Sequence, residues 1–173
     1  MDMSEGHYGV SLLNDCKYGH SALDGVMTLT LIKSGIEPNP TADQEEHTFT
    51  YALYPHAEGW RRANTVQEAM KLNQPLLSEE GGQAGCQNSF VWVDKSNVII
   101  ETVKMAEDDD GIIVRLYESE NAKTKAHIFF GEKISSVESC NCLEEIKQTI
   151  ETDGEGFEIT VKPYEIQTYR VRF

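Results

Sequence analysis

The chain has 173 residues, enough for one domain or two small ones with a packed core. Its 15 Lys and Arg against 29 Asp and Glu leave a formal charge of −14, which repels phosphate backbones and argues against nucleic acid as a partner. No stretch approaches the about 20 consecutive apolar residues of a membrane helix, so no membrane association is expected.

In chain order, GVSLLNDCKYGH at 9–20 reads as a strand that runs into a polar turn. Asp24-Gly25 then separates it from VMTLTLI, where Met27, Leu29 and Leu31 alternate with threonines. Asp-Gly accepts the positive φ angles of a type I′ turn, so a hairpin is expected there. TFTYALYP follows as a strand with Phe49, Tyr51 and Leu53 on one face. Thr65-Val66-Gln67-Glu68 has the form of a capping box, and Pro75 disfavours helix at Gln74. A short amphipathic helix is therefore expected over residues 65–73, with a packing role.

Residues 76–89, LLSEEGGQAGCQNS, have loop composition. They divide the chain into a first domain, 1–75, a linker, 76–87, and a second domain, 88–173. In the second domain Asp110-Gly111 marks a hairpin between VIIETVKMAED and IIVRLYESE. CLEEIKQTIE is ambiguous between a second short helix and a twisted edge strand. Asp153-Gly154 starts a strand in which Phe157, Ile159 and Val161 share a face, and Tyr169, Val171 and Phe173 share a face of the last one. A period of two over so many segments predicts an all-β fold of antiparallel β-sandwiches with one or two short helices. The first domain looks too small to close its own core. Residues 1–75 are expected either to complete a sheet supplied by further polypeptide or to pack on residues 88–173.

Candidate site residues are few. Asn14, Asp15, Lys17 and Tyr18 sit in a turn and offer polar groups suited to sugar hydroxyls and one aromatic face; a plain polar turn with Tyr18 anchoring its base is the other reading. Asp43 and His47 are four apart, but in a segment that alternates as a strand they do not share a helix face. A hydrogen bond or solvation is favoured there over a metal site. Cys140-Asn141-Cys142 is spaced too closely for a usual zinc pair and reads as two half-buried thiols. Asp108, Asp109 and Asp110 read as a solvated hairpin tip rather than a calcium loop. Trp60 and Trp92 read as core residues, with sugar platforms as the alternative. GGQAG lacks the lysine of a phosphate-binding loop. The acidic, polar opening MDMSEGHYG is the reverse of a secretory signal, and the cysteines follow no disulfide framework, so a cytoplasmic location is expected.

Five strings in order carry a resemblance. Tyr8 to Gly19 is similar to YGVALLND-C/S-KYG, LTLIK at 29–33 to LxLLR, and PNPTADQEEHTFTYALYPH at 38–56 to PDPxADxGxHxFTYALxPH. ETVKMAEDDDGIIVRLYE at 101–118 resembles VKxAEDxDGxIVRxYE, and the chain closes on VKPYEIQTYRV. Together they resemble the C-terminal region of the family 38 glycoside hydrolases, the α-mannosidases of cytosolic or bacterial type. The resemblance implies that residues 1–75 end a large β domain and that residues 88–173 form a small C-terminal β-sandwich.

It also implies a parent enzyme that hydrolyses terminal α-mannosides with retention, using zinc held by Asp and His, an Asp nucleophile and a second carboxylic acid. Retention needs the two carboxyl groups about 5–5.5 Å apart. In the family these groups belong to an N-terminal α/β barrel, and none matches a residue here. The expected partners are that catalytic domain and an α-mannoside oligosaccharide, with support of oligomer formation as a further role; the fragment itself is expected to be inactive and to hold no metal. Lys33 stands where the family has arginine, which keeps the charge but loses the planar donor fork. As candidate substrate contacts the resemblance leaves Asn14, Asp15, Lys17, Tyr18, Lys33, Asp43 and His47. A stand-alone carbohydrate-binding module and an Ig-like interaction domain are the competing readings.

Overall fold

A computed structural model describes residues 1–78, 80–81 and 89–173. Most of the expected linker, with residues 82–85 of the GGQAG stretch and Cys86, therefore lies outside the described residues. The chain forms two compact units, Met1–Glu80 and Gly81–Phe173.

In the first unit β1 (Asp2–Glu5), β2 (Tyr8–Asn14) and β5 (Tyr51–Ala57) form an antiparallel sheet in the order β1-β2-β5. β3 (His20–Leu23) and β4 (Val26–Leu29) pair as a separate hairpin. Its turn is the expected two-residue one, with Asp24 at φ 50 and Gly25 at φ 76, but the strand before it is His20–Leu23, while the GVSLL segment pairs with β1 and β5 instead. The hydroxyls of Ser21 and Thr28 meet across it at 2.5 Å.

Helix α1 (Thr65–Asn73) has the bounds that the sequence predicts and packs against β2. Its cap does not follow the capping-box reading. Asn64 occupies the cap position in the left-handed region at φ 52, with no side-chain capping bond. Thr65 is already inside the helix and buried, where its hydroxyl meets Ser11 at 3.0 Å, while Glu68 pairs with Lys71 at 2.7 Å. Residues 44–50 form no strand, so the TFTYALYP segment enters its sheet only at Tyr51. In β5 Ala52, Tyr54 and His56 are half-buried, while Tyr51 and Leu53 stand on the opposite, exposed face.

The second unit is a sandwich of two antiparallel sheets. One runs β11 (Ile146–Ile150), β10 (Ser136–Cys140), β13 (Ile166–Arg172), β8 (Ile112–Glu118), β7 (Val98–Met105). The other runs β12 (Gly156–Val161), β9 (Thr124–Phe130), β6 (Val91–Val93). Alternation sends Ile128, Phe130 and Phe157 inward from the small sheet to meet Val114, Leu116 and Val171 from the large one. Phe157, Ile159 and Val161 share a buried face as expected; Phe173 does not follow Tyr169 and Val171 inward and is 46% exposed beyond the strand end.

The ambiguous segment at 143–150 is the edge strand β11 rather than a helix. Its register with β10 shifts between Ser139 and Cys140, whose partners are Gln148 and Ile146, so Lys147 is bulged out. Cys140 is buried at the end of β10 and Cys142 is exposed, so only one of the two thiols is sheltered. The β7–β8 hairpin exists, but Asp110-Gly111 does not form a two-residue turn. Met105 pairs with Ile112 and the loop between them has its positive φ angles at Asp109 and Gly111.

That loop is not merely solvated. Asp108 accepts from Arg170 Nη1 at 2.7 Å, and Asp110 accepts two bonds from Arg172, from Nε at 2.9 Å and Nη2 at 2.8 Å. The neighbouring guanidinium groups hold both carboxyls below the usual carboxylate range.

Candidate functional site

The residues singled out for sugar contact fall into two groups. Asn14 closes β2, and its side-chain oxygen accepts from the amide of Lys17 at 2.5 Å, which folds residues 14–17 into a tight turn. Asp15 exchanges two bonds with Thr50: its amide donates to the Thr50 carbonyl at 3.2 Å, and its carboxylate accepts from the Thr50 amide at 2.9 Å. A hydrogen bond from the Cys16 thiol, helped by the Thr50 amide, holds the Asp15 carboxyl below its ordinary range. The Lys17 ammonium lies 4.6 Å above the Phe49 ring, and Phe49 stacks on Tyr51 at 6.4 Å. Asn73 at the end of α1 donates to the Asn14 carbonyl at 3.2 Å.

Asn14, Asp15 and Lys17 are thus engaged in shaping the turn. Tyr18 is its free element: at 92% exposed, the ring stands in solvent and does not anchor the turn as the plain reading had it. His20, which the sequence reading passed over, completes the rim, with its ring nitrogens at 3.3 Å from Asn14 Nδ2 and 3.0 Å from the Tyr18 carbonyl.

Lys33, Asp43 and His47 lie in the irregular run between β4 and β5. Lys33 is exposed. His47 Nε2 is 3.0 Å from the backbone carbonyl of Asp43, so the pair is a local hydrogen bond made without the carboxylate. No hydrogen bond or ion pair among the described residues joins these three to the Asn14–Tyr18 turn. The structure therefore brings together four of the seven candidates. Among the described residues no three His, Cys, Asp or Glu side chains gather to hold a metal ion, so this donor set does not fit zinc.

Sequence reading missed a buried polar knot in the first unit. Asp2 Oδ2 accepts from Ser11 at 2.7 Å and lies 2.7 Å from His56 Nε2, and the Ser11 hydroxyl is 3.2 Å from the same nitrogen and 3.0 Å from Thr65. Burial alone would push the Asp2 carboxyl up; hydrogen bonds from Ser4, Ser11 and His56 outweigh it and hold the group below its ordinary value. The residue types are those of a hydrolase triad, but the wiring is not. A triad places carboxylate and hydroxyl on opposite ring nitrogens. Here both meet Nε2, and Ser11 is fully buried. The knot ties β1, β2, β5 and α1 together. One signal in the sequence pointed to it: a serine at an inward position of an apolar strand.

Two further features escaped the sequence. Glu118 is buried, accepting from Asn97 at 2.8 Å and from the amides of Glu120 at 2.7 Å and Tyr164 at 3.0 Å. Trp92, read as core, is 42% exposed and stacked on Phe129.

Comparison with known proteins gives this geometry a context. A family model described as the C-terminal β-sandwich domain of glycosyl hydrolases family 38 matches residues 97–169, and a second, the C-terminal domain of the same family, matches residues 1–41. Alpha-mannosidase G of Dictyostelium discoideum is 34% identical over 98% of this chain and 16% of its own length. Alpha-mannosidase 2C1 of Homo sapiens is 35% identical over 83% of this chain and 14% of its own. The chain thus spans less than a fifth of the length of these relatives. The crystal structure of an alpha-mannosidase from Enterococcus faecalis V583 superposes with a TM-score of 0.74 at 22% identity, over 98% of this chain and 20% of that one. That likeness supports the fold, and the two family models between them take in more than half of the residues. The chain belongs to glycosyl hydrolase family 38, as part of its C-terminal β-sandwich region.

Proposed function

We propose that this chain is the non-catalytic C-terminal part of a cytoplasmic, retaining, zinc-dependent α-mannosidase. In this reading it braces the catalytic domain, and the Asn14–Tyr18 turn forms part of the wall of the sugar pocket. Zinc, nucleophile and acid belong to polypeptide outside these residues.

One observation carries the bracing role. On the face of the β1-β2-β5 sheet opposite helix α1, Tyr8, Val10, Tyr51 and Leu53, with Leu29 of β4 and Leu31 beyond it, surround an open apolar cleft of about 700 Å³. Leu53 is 66% exposed there. An apolar face of this kind is a contact surface in a soluble protein, and relatives some six times longer have polypeptide with which to cover it. For the pocket wall, Tyr18 supplies an unengaged ring for stacking on a sugar face, while its neighbours keep the turn rigid.

The test is an assay of the 173-residue chain with an aryl α-mannoside and zinc, alone and beside the complete enzyme. The isolated chain is expected to give no turnover above the buffer rate. Turnover comparable to that of the complete enzyme would refute the proposal.

A further inference from the structure

The outward face of the small sheet in the second unit departs from what a sandwich needs for its own stability. Strand β9 sends Ala126, Ile128 and Phe130 into the core and Lys125, His127 and Phe129 outward. Trp92 of β6 pairs with Phe129 across the strands. The indole and the Phe129 ring stack with centroids 5.4 Å apart and planes 10° apart, and the His127 ring follows at 4.3 Å. With one indole face taken by Phe129, the exposure of Trp92 belongs to its other face and edge. An outer sheet face ordinarily carries polar residues, so a row of three rings there asks for an occupant.

Beyond His127 the row opens into a cleft of about 550 Å³ whose walls include Thr149, Glu151, Thr152, Asp153 and Glu158. A Cβ at Gly156 would collide with the Ile128 carbonyl oxygen and would meet His127 Nε2 at 2.5 Å, so the glycine lets the His127 ring lie close against β12. His127 Nε2 is itself buried without a hydrogen-bond partner, and Asp153 Oδ2 is 3.9 Å away. An unpaired buried ring nitrogen is costly unless a ligand or water meets it.

From this placement we infer that the Trp92–Phe129–His127 row and the adjoining cleft form a binding site for a neutral oligosaccharide. The C–H face of a pyranose stacks on the aromatic row, and its hydroxyls donate to carboxylates and exchange bonds with threonine hydroxyls and the imidazole. Anionic ligands are repelled by the carboxylates. A cationic ligand is disfavoured because two of the three carboxylates are engaged: Glu158 pairs with Lys125 at 2.8 Å, and Asp153 accepts from the amides of Glu155 at 2.9 Å and Gly156 at 2.8 Å. The site stands on the chemistry of this face; only the first probe, an α-linked mannose oligomer, is chosen from the proposed activity.

Trp60 and Trp92 are the only tryptophans, so the Trp60→Phe chain reports on Trp92 alone by fluorescence. It is titrated with α-linked mannotriose, cellotriose, maltotriose and, separately, arginine amide, with calorimetry in parallel. Saturable binding of at least one trisaccharide is expected. In calorimetry Trp92→Ala and His127→Gln should weaken it about tenfold while the unfolding midpoint stays in place. Absence of binding by all three sugars, binding indifferent to Trp92→Ala, or binding of arginine amide alone would each overturn the site. Because the readout is binding by a chain expected to lack turnover, a negative result here leaves the α-mannosidase proposal standing, and the converse also holds.

Discussion

Glu118 is a carboxylate that the second unit has closed over. Burial would raise its pKa, but the amides of Tyr164, Glu120 and Ala122 and the Asn97 side chain together hold it below the ordinary 4.5. A depressed carboxyl stabilises the fold fully above its unfolded pKa and loses that contribution as pH falls through the folded value. Urea unfolding should therefore show the second unit weakening below about pH 4. Glu118→Gln should cost about 1–3 kcal/mol at neutral pH, because one amide donor would face donors left unpaired, and should flatten the acid limb. An unchanged acid limb in that variant would assign the pH dependence elsewhere. Tyr18 makes the opposite case. Its exposed ring holds nothing in place, so Tyr18→Ala in the complete enzyme should leave the unfolding midpoint unchanged and raise KM for a mannoside about tenfold, the size of one lost stacking contact. If kcat and KM both stay at wild-type values, the turn does not line the pocket.

At the level of elements, strand faces were the most legible feature and partners the least. Alternation and the Asp-Gly turn located β7, β8, β12 and β13 of the sandwich but not β6, β9 and β10, and the 65–73 helix was placed correctly from Pro75 and a capping-box string. Its cap was misread because Thr65 resembles a capping residue in the string, whereas burial against Ser11 decides what its hydroxyl does. The same holds for Asp108 to Asp110. As a string they look solvated, and only the register of β13 beside β8 brings Arg170 and Arg172 to them. The bidentate Arg172–Asp110 pair with Glu138 at 2.7 Å makes a small network rather than an isolated surface pair. Arg172→Ala should cost about 1 kcal/mol in low salt and less in 1 M NaCl, read from unfolding midpoints. Inside the same sandwich Phe157→Ala should cost about 3–5 kcal/mol with no salt dependence, because that ring is 1% exposed between the sheets.

For the molecule as a whole, the family was readable because long strings survive in order, and the all-β class followed from the period-two pattern. Beyond the inward position of Ser11, the knot of Asp2, Ser11, His56 and Thr65 was not readable, since its bonds span up to 54 positions and depend on three strands and a helix meeting. The open face of the first sheet lay between these cases: the sequence indicated too small a core, but only the structure identifies which residues are left uncovered. A hydrophobic dye such as ANS should bind the isolated chain, and Leu53→Asp should reduce that signal while leaving its secondary structure intact. In the complete enzyme the same change should lower the yield of assembled protein. A Leu53→Asp enzyme with unaltered stability and activity would mean that nothing packs on this face.

The bulge at Lys147 bears on how such a sandwich stays dispersed. A flat outermost strand is a template on which a neighbouring molecule extends its own ladder without limit. By setting a charged residue out of register at the rim of the large sheet, the chain denies newcomers a continuous row of backbone donors and acceptors. Removing that one lysine would restore the row, and concentrated solutions of the shortened protein would be expected to thicken into fibres that bind thioflavin.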